Sequence, residues 1–273
     1  MGTLYVVGTP IGNLEDLTFR ALRVLGEVAL IAAEDTRKAR ILLDHYGIHT
    51  PVTSFFEGNE QRKLEPLLAA LEQGDVALIS EAGMPGISDP GFSLVRAALD
   101  AGVTVVPVPG PSALIAALAA AGLPTARFLF LGFLPRKASE QRATLQEIAA
   151  VRATLVCYES PRRVQATLAL LREVLGNRPV VLCRELTKLH EEFWRGDLEG
   201  ALAFLEVNPP RGEFTLVIGG ANPEPAAWEE SRVRAALAEK LRAGLPRSQA
   251  AREVAALSGW PRRDVYTLAG EMG

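Results

Sequence analysis

Cysteine and histidine are scarce in this chain of 273 residues, which carries two of the first and three of the second. Cys157 and Cys183 lie inside apolar runs, "TLVCYES" and "VVLCREL". That placement excludes a disulfide framework and reads as buried, reduced thiols of a cytoplasmic protein. His45, His49 and His190 fit no metal-ligand spacing, so no metal is expected. Lysine is also rare: Lys38, Lys63, Lys137, Lys188 and Lys240 are the only ones among 29 basic residues. The net charge of −3 gives no global field for a polyanion, so any nucleic-acid contact must come from a local patch. No stretch of about 20 apolar residues is available to span a bilayer. The opening "MGTLYVVGTP" lacks the basic flank and cleavage site of a signal peptide. A soluble cytoplasmic protein is expected, with neither a membrane nor DNA as partner.

What is present is a regular alternation of short apolar runs and helical patterns. "TLYVVG" reads as a strand, "EDLTFRALRVL" as a helix and "VALIAA" as the next strand. "DVALIS", "FSLVRAALDAG", "VTVVPV" and "SALIAALAAAG" continue the series, with Gly102 as a left-handed helix stop. Fully apolar strands separated by helices predict a mostly parallel sheet covered on both faces. After "GLPTA" the pattern restarts with "RFLFLGFL", "ASEQRATLQEIAAV", "ATLVCYES", "RRVQATLALLREVLG", "PVVLCREL", "HEEFWRG" and "GEFTLVIGG". The expected architecture is two α/β domains, 1–123 and 124–221, with a ligand cleft between them.

"ANPEPAAWEE" reads as a linker into a helical extension, 226–273, in which Trp228, Val233, Leu237 and Leu241 share one face. Two further helices meeting at Gly259 have helix-turn-helix-like spacing. Arg247, Arg252, Arg262 and Arg263 stand in this extension. Two readings of them remain open, a phosphate-facing patch and a solvated helical cap.

Three loops at predicted strand ends are rich in glycine and proline: "GTPIGN", "SEAGMPGISDPG" and "VPGPSA". Glycine lets a backbone approach a ligand closely, and proline fixes a loop in advance. Neither G-x-x-x-x-G-K-[ST] nor G-x-G-x-x-G is present, and none of the three loops contains a lysine. A cradled triphosphate is therefore disfavoured, and a nucleoside-type ligand held by backbone groups fits better. A dinucleotide reading, with Glu34 at the end of the second strand as a ribose-binding acid, is the minor alternative.

The stretches "LYVVGTPIGNLEDLTFRAL", "AAEDTRKARILLDHYGI", "SEAGMPGISDPG", "VPVPGPSALIAALAAAGLP" and "FLGFLPRK" resemble the tetrapyrrole methylase superfamily. Within it, "YESPRRV", "CRELTKLHEEFWRG" and "GEFTLVI" extend a resemblance to the branch of ribosomal RNA small subunit methyltransferases I. The resemblance implies a homodimer that binds S-adenosyl-L-methionine between two α/β domains. Its cofactor-binding residues would be Gly8 and Pro10 in the floor, Ala82, Gly83, Met84 and Ser88 in the wall, and Ser112 with Ala113 towards the methionine or ribose part. Tyr158 and Leu186 would stand on the adenine side.

The branch further implies methylation of the ribose 2′-hydroxyl of the decoding-centre cytidine 1402 of 16S rRNA, within the 30S subunit. A ribose hydroxyl is a poor nucleophile near neutrality, so a base or a stabilising cation should assist. Asp35 and Arg37, with Glu185 and Lys188, are the candidate catalytic residues. The alternative for each is an ion-pair network joining the two domains, as it is for Glu159, Arg162 and Arg163 of "YESPRR". For RNA, the expected contacts are Phe55 (stacking beside Phe56), Arg62, Lys63, Arg162, Arg163, Arg247, Arg262 and Arg263. Two other functions remain in view: a tetrapyrrole C-methyltransferase of corrin or sirohaem synthesis, and a non-catalytic RNA-binding assembly factor.

Overall fold

The first strands are short and apolar because both of their faces are covered. In the computed structural model, which describes residues 1–221 and 228–272, five parallel strands form the first sheet. They are β1 (Thr3–Val7), β2 (Leu30–Ala33), β3 (Val52–Ser54), β4 (Val76–Ile79) and β5 (Thr104–Val108), in the order β3-β2-β4-β1-β5. All four residues of the central β4 are buried. Ala77 and Ile79 join one core and Leu78 the other, as the two-residue strand period requires. Helices α1 (Phe19–Glu27) and α2 (Thr36–His45) supply the first core, and α3 (Glu60–Gln73) and α4 (Phe92–Asp100) the second.

Helix α5 (Ala113–Ala121) leaves β5 but packs on the second sheet. Leu114, Ala117 and Leu118 meet Val156, Val181, Cys183 and Val217 there. That sheet contains β6 (Phe128–Phe133), β7 (Thr154–Glu159), β8 (Pro179–Arg184), β9 (Glu192–Asp197) and β10 (Phe214–Ile218), ordered β6-β7-β10-β8-β9. Helices α6 (Ala138–Glu147), α7 (Val164–Leu175) and α8 (Leu198–Val207) accompany it. Only β6 and β7 run parallel; β10 is antiparallel to both β7 and β8, and β8 to β9. The expectation of a mostly parallel sheet therefore holds for the first sheet and fails for the second. The connection from β8 to β9 is too short for a crossover and enforces an antiparallel pair. Both sheets belong to one compact unit, Met1–Gly220.

The predicted helix "EDLTFRALRVL" is broken in two. Leu14–Asp16 forms a 3-10 turn capped by Asn13, and α1 begins only after Thr18, whose hydroxyl accepts from the Ala21 amide at 3.1 Å. Both cysteines are buried free thiols, and burial pushes each up to about 12. They are therefore inert packing groups.

The second compact unit, Ala221–Gly273, holds α9 (Glu230–Arg242), α10 (Arg247–Ser258) and α11 (Arg262–Glu271). Val233 and Leu237 of α9 are fully buried against Ala251, Val254, Val265 and Ala269, with Trp228 and Leu241 packed at the side. Gly259 takes a left-handed φ of 70° between α10 and α11. The Trp260 indole closes the bundle by donating to the Trp228 carbonyl at 2.6 Å. Most of the expected linker falls on 222–227, outside the described residues. Among the described residues no helix is long and apolar enough to cross a membrane.

Phe55 corrects an RNA-stacking expectation. It follows β3 and is fully buried with Leu67, Leu71 and Leu94, whereas Phe56 is 43% exposed. Phe55→Ala is expected to cost about 3–5 kcal/mol of stability, measured by urea unfolding. Phe56→Ala should leave the midpoint nearly unchanged.

Candidate active site

The three glycine-rich loops are laced together at the carboxyl ends of β1, β4 and β5. Thr9 and Gly83 exchange backbone hydrogen bonds of 2.9 and 3.0 Å, joining the first loop to the second. The first and third loops meet without side chains between them. A Cβ built on Gly8 would stand 2.7 Å from Gly110 Cα and 2.7 Å from Met84 Sδ. One on Gly110 would stand 2.8 Å from the backbone of Gly8. Contacts this close permit only glycine at both positions, because the obstruction is backbone.

The second loop is held in an unusual conformation. Gly83, Gly86 and Gly91 have φ of 78°, 80° and 144°, and Ser88, which is not glycine, has φ of 65°. The Ser80 hydroxyl bonds to the Ala82 and Gly83 carbonyls at 3.3 and 3.4 Å. Glu60 on α3 pins the far end, accepting from the Gly91 amide at 3.2 Å and the Ser93 hydroxyl at 2.8 Å. From the second sheet, residues after β8 close the opposite side. Glu185 and Thr187 are left-handed there, with φ of 50° and 66°. Gly12 approaches this turn so closely that a Cβ would lie 2.4 Å from Lys188 Cγ.

These loops enclose a cavity of about 400 Å³, within the range of small-molecule sites. Of the residues expected to hold a cofactor, Ala82, Gly83, Met84, Ser88, Ser112, Ala113, Tyr158 and Leu186 stand on its wall. Gly8 and Pro10 do not: the wall at that loop is Ile11, and Gly8 acts from behind by letting Gly110 and Met84 close in. The Tyr158 hydroxyl accepts from the Leu114 amide at 3.2 Å, tying β7 to the start of α5. Phe130 and Phe133 pack edge-on and tilted against the Tyr158 ring, at 5.0 and 5.5 Å between centroids.

The wall has one sign of charge. Glu34, Glu81, Asp89, Glu159 and Glu213 line it, and among the described residues no lysine, arginine or histidine does. Glu159 is fully engaged, accepting from the Ser160 amide (2.8 Å) and the Thr167 hydroxyl (2.7 Å) and facing Arg163 at 3.4 Å. Glu213 pairs with Lys188 at 2.9 Å, and Glu81 with Lys38. Burial, reinforced by Glu81, raises Glu34 above the ordinary carboxylate range although the Glu81 amide donates to it. Burial and the neighbouring Glu34 raise Asp89 to about 6.

The expected catalytic residues lie beside the cavity and not on its wall. Asp35 caps α2, accepting from the Arg37 amide at 2.8 Å and the Arg37 guanidinium at 3.1 Å. The Arg37 side chain, then its amide, hold the Asp35 carboxyl below the usual range, which makes it a weak base. Lys188 bridges Glu185 and Glu213, each at 2.9 Å. Burial opposes its charge, but these two carboxylates outweigh burial and keep the ammonium charged. The hydrogen bond from Lys188 in turn lowers Glu185.

Of the expected RNA contacts, Arg62, Arg162, Arg247, Arg262 and Arg263 are exposed. Arg163 is turned inward onto the Leu134 and Pro135 carbonyls at 2.8 and 3.0 Å, so its guanidinium is already occupied. Lys63 is half-buried and donates to the Thr53 hydroxyl at 2.9 Å. Arg247 reaches towards Gly270 at the end of α11, whereas Arg262 and Arg263 start that helix, about 10–12 Å away along the axis. The patch therefore divides. Sequence reasoning did not single out Ile11, Glu81, Asp89, Phe133 or Glu213. Asp89 stands inside the quoted loop, but nothing in its spacing marks it as sharing a cavity wall with Glu34, Glu159 and Glu213 from distant parts of the chain.

Residues 3–202 match the Tetrapyrrole (Corrin/Porphyrin) Methylases, and residues 226–273 match the RsmI C-terminal HTH domain. The chain is 48% identical over its full length to the ribosomal RNA small subunit methyltransferase I of Synechocystis sp., covering 99% of that relative. Its fold is similar to that of the methyltransferase CobJ, with a TM-score of 0.60 and 22% identity over 81% of this chain and 95% of that one. A second similar fold is uroporphyrin-III C-methyl transferase from Thermus thermophilus complexed with S-adenyl homocysteine, with a TM-score of 0.55 and 23% identity over 79% of this chain and 97% of that one. The tetrapyrrole methylase match over the two sheets, the matching helical extension and the full-length relative agree: the chain belongs to the ribosomal RNA small subunit methyltransferase I family of the tetrapyrrole methylases.

Proposed function

We propose that this protein methylates the ribose 2′-hydroxyl of the decoding-centre cytidine 1402 of 16S rRNA, within the 30S subunit, using S-adenosyl-L-methionine. The observation that carries the cofactor is the cavity wall of five carboxylates without a cation. S-adenosylmethionine bears a sulfonium and an ammonium, both favoured by such a wall, and lacks the phosphates that it would repel. Its one carboxylate would be served by the start of α5 at Ser112 and Ala113, where the helix dipole favours an anion. The residues present fit the group.

The Gly83–Met84 stretch and Ser88 would hold the cofactor on one side, and Leu186 and Tyr158 on the other. When bound, S-adenosylmethionine supplies an electrophilic methyl group on a sulfonium sulfur. The chain's own contribution is largely positional: preformed loops fix both reactants and exclude water, which shortens the search for an in-line approach. Lys188, kept charged at the rim, and Arg37, with its side chain 89% exposed, are suited to rRNA phosphates. Arg262 and Arg263 offer a second grip on the helical unit. The full-length relative named for ribosomal RNA small subunit methylation supports the substrate class. A homodimer is part of the same proposal.

The direct test is transfer of labelled methyl groups to undermethylated 30S subunits, with naked 16S rRNA and a uroporphyrinogen acceptor in parallel. Label in 30S RNA that resists alkali at one ribose linkage is expected. Label in the tetrapyrrole alone overturns the proposal, and no transfer to any acceptor favours an assembly factor. For the RNA contacts, Arg37→Ala should lower the dependence of log K on log salt by about 1, and the Arg262→Ala/Arg263→Ala pair by about 2. Filter binding of 30S subunits over a salt series measures both, and calorimetry should find S-adenosylhomocysteine affinity unchanged.

A further inference from the structure

The turn that follows β3 borders the mouth of the cavity and carries an exposed aromatic ring. The Phe55 amide donates to the Ala33 carbonyl at 2.8 Å, which extends the β2–β3 ladder one residue beyond Ser54. In that register Phe55 stands level with Glu34 of the cavity wall, and Phe56 level with Asp35 at the start of α2. Neighbouring strands are about 5 Å apart, so little separates this turn from the rim. We infer that Phe56 is the platform on which a base of the substrate RNA stacks, and so a positioning residue for the methylated ribose. The inference rests on the function proposed above.

The turn is fixed by its own hydrogen bonds. The Phe56 amide donates to the Asn59 side chain at 2.9 Å, and the Phe56 carbonyl accepts from the Asn59 and Glu60 amides at 2.8 and 3.1 Å. Asn59 is 4% exposed, and its side-chain amide reaches back to the Ser54 carbonyl and hydroxyl at 3.4 and 3.1 Å. Phe55, buried in the core, anchors one end of the turn. Glu60 anchors the other and also pins Gly91 and Ser93 behind the second glycine-rich loop. Gly58 makes room for the ring, since a Cβ there would come 2.8 Å from Phe56 Cε2. An aromatic side chain on so preformed a turn loses little freedom when a ligand covers it.

A ribose that enters the cavity to meet a methyl donor must leave its helical stack, and a base then loses a stacking partner. RNA-binding surfaces restore that partner with an aromatic ring. The charges around Phe56 decide which part of a nucleotide lies over it. Glu57, next in the chain, is exposed and disfavours a phosphate at the ring. Arg37 and Arg40, one turn apart on α2, are exposed, as is Arg62 in the first turn of α3. Both helices that start beside the turn thus offer cations to the backbone of the strand, while the ring is left to a base. Phe55 has the same chemistry but is fully buried, so the stacking role belongs to Phe56 alone.

The test compares wild type with Phe56→Ala, Phe56→Trp and Phe56→Leu in the full chain. Filter binding of undermethylated 30S subunits over a salt series gives affinity and salt slope, and single-turnover methyl transfer gives the rate. Calorimetry with S-adenosylhomocysteine and sedimentation follow the cofactor site and the assembly. Phe56→Ala should weaken 30S binding about 10-fold, with the slope of log K against log salt unchanged and S-adenosylhomocysteine affinity within about twofold of wild type. Saturating subunits should restore its transfer rate to within about threefold. Phe56→Trp should bind at least as tightly as wild type, whereas Phe56→Leu, apolar but without a ring face, should be as weak as Phe56→Ala. Full affinity in Phe56→Ala or Phe56→Leu, or its loss in Phe56→Trp, overturns the inference and leaves the proposed function standing. So does a salt slope lower by about 1, which assigns the loss to a phosphate contact, or altered sedimentation, which marks a contact between subunits. Wild-type protein that labels no 30S RNA overturns the proposed function, and the inference with it.

Discussion

The contact between Gly8 and Gly110 governs the geometry of the site. Two backbones meet at the end of the first sheet with no room for a Cβ on either, and Met84 closes over the same point. This contact draws the first and third glycine-rich loops together, while the Thr9–Gly83 pair attaches the second. The cavity wall is then built from backbone and small residues in front of that junction. Gly8 need not touch a ligand for the site to depend on it.

The second constraint is the crossing of α5 from one sheet to the other. By packing Leu114, Ala117 and Leu118 on β7, β8 and β10, it fixes the two sheets around the same opening. Its first turn also carries the Leu114 amide to the Tyr158 hydroxyl, so the start of α5 and the β7 wall are linked by one hydrogen bond. Carboxylates from β2, β4 and β10 and from the loop before α4 therefore gather in one space, although they are up to 179 positions apart (Glu34 to Glu213). Two of them are neutralised at the rim by Lys38 and Lys188. The interior retains its negative character without becoming a cluster of equal, mutually repelling charges.

Apolar runs made most strands legible, and glycine–proline content marked all three loops of the site. The elements that escaped reading are those whose pattern is short or interrupted. β3 has three half-buried residues, α2 begins in the charged "TRKAR", and α3 carries Pro66 in its interior. The antiparallel order of the second sheet depends on connection geometry that apolar patterning does not encode. Residue types suited to chemistry were recognised in "EDTR" and "RELTK", but the structure uses Asp35 as a helix cap and Lys188 as a bridge. The raised proton affinity of Asp89 comes from burial and from Glu34, neither of which the local sequence displays. Phe55 and Phe56 are indistinguishable by type, and only packing separates core from surface.

The central claim is that this cation-free, carboxylate-walled cavity is where the methyl donor sits. A crystal structure of the protein with S-adenosylhomocysteine tests it most directly. The account predicts the ligand between the Gly83–Met84 backbone and Leu186, with its carboxylate at the start of α5. A ligand seated outside this cavity, or held there by displaced lysine or arginine side chains, would contradict it.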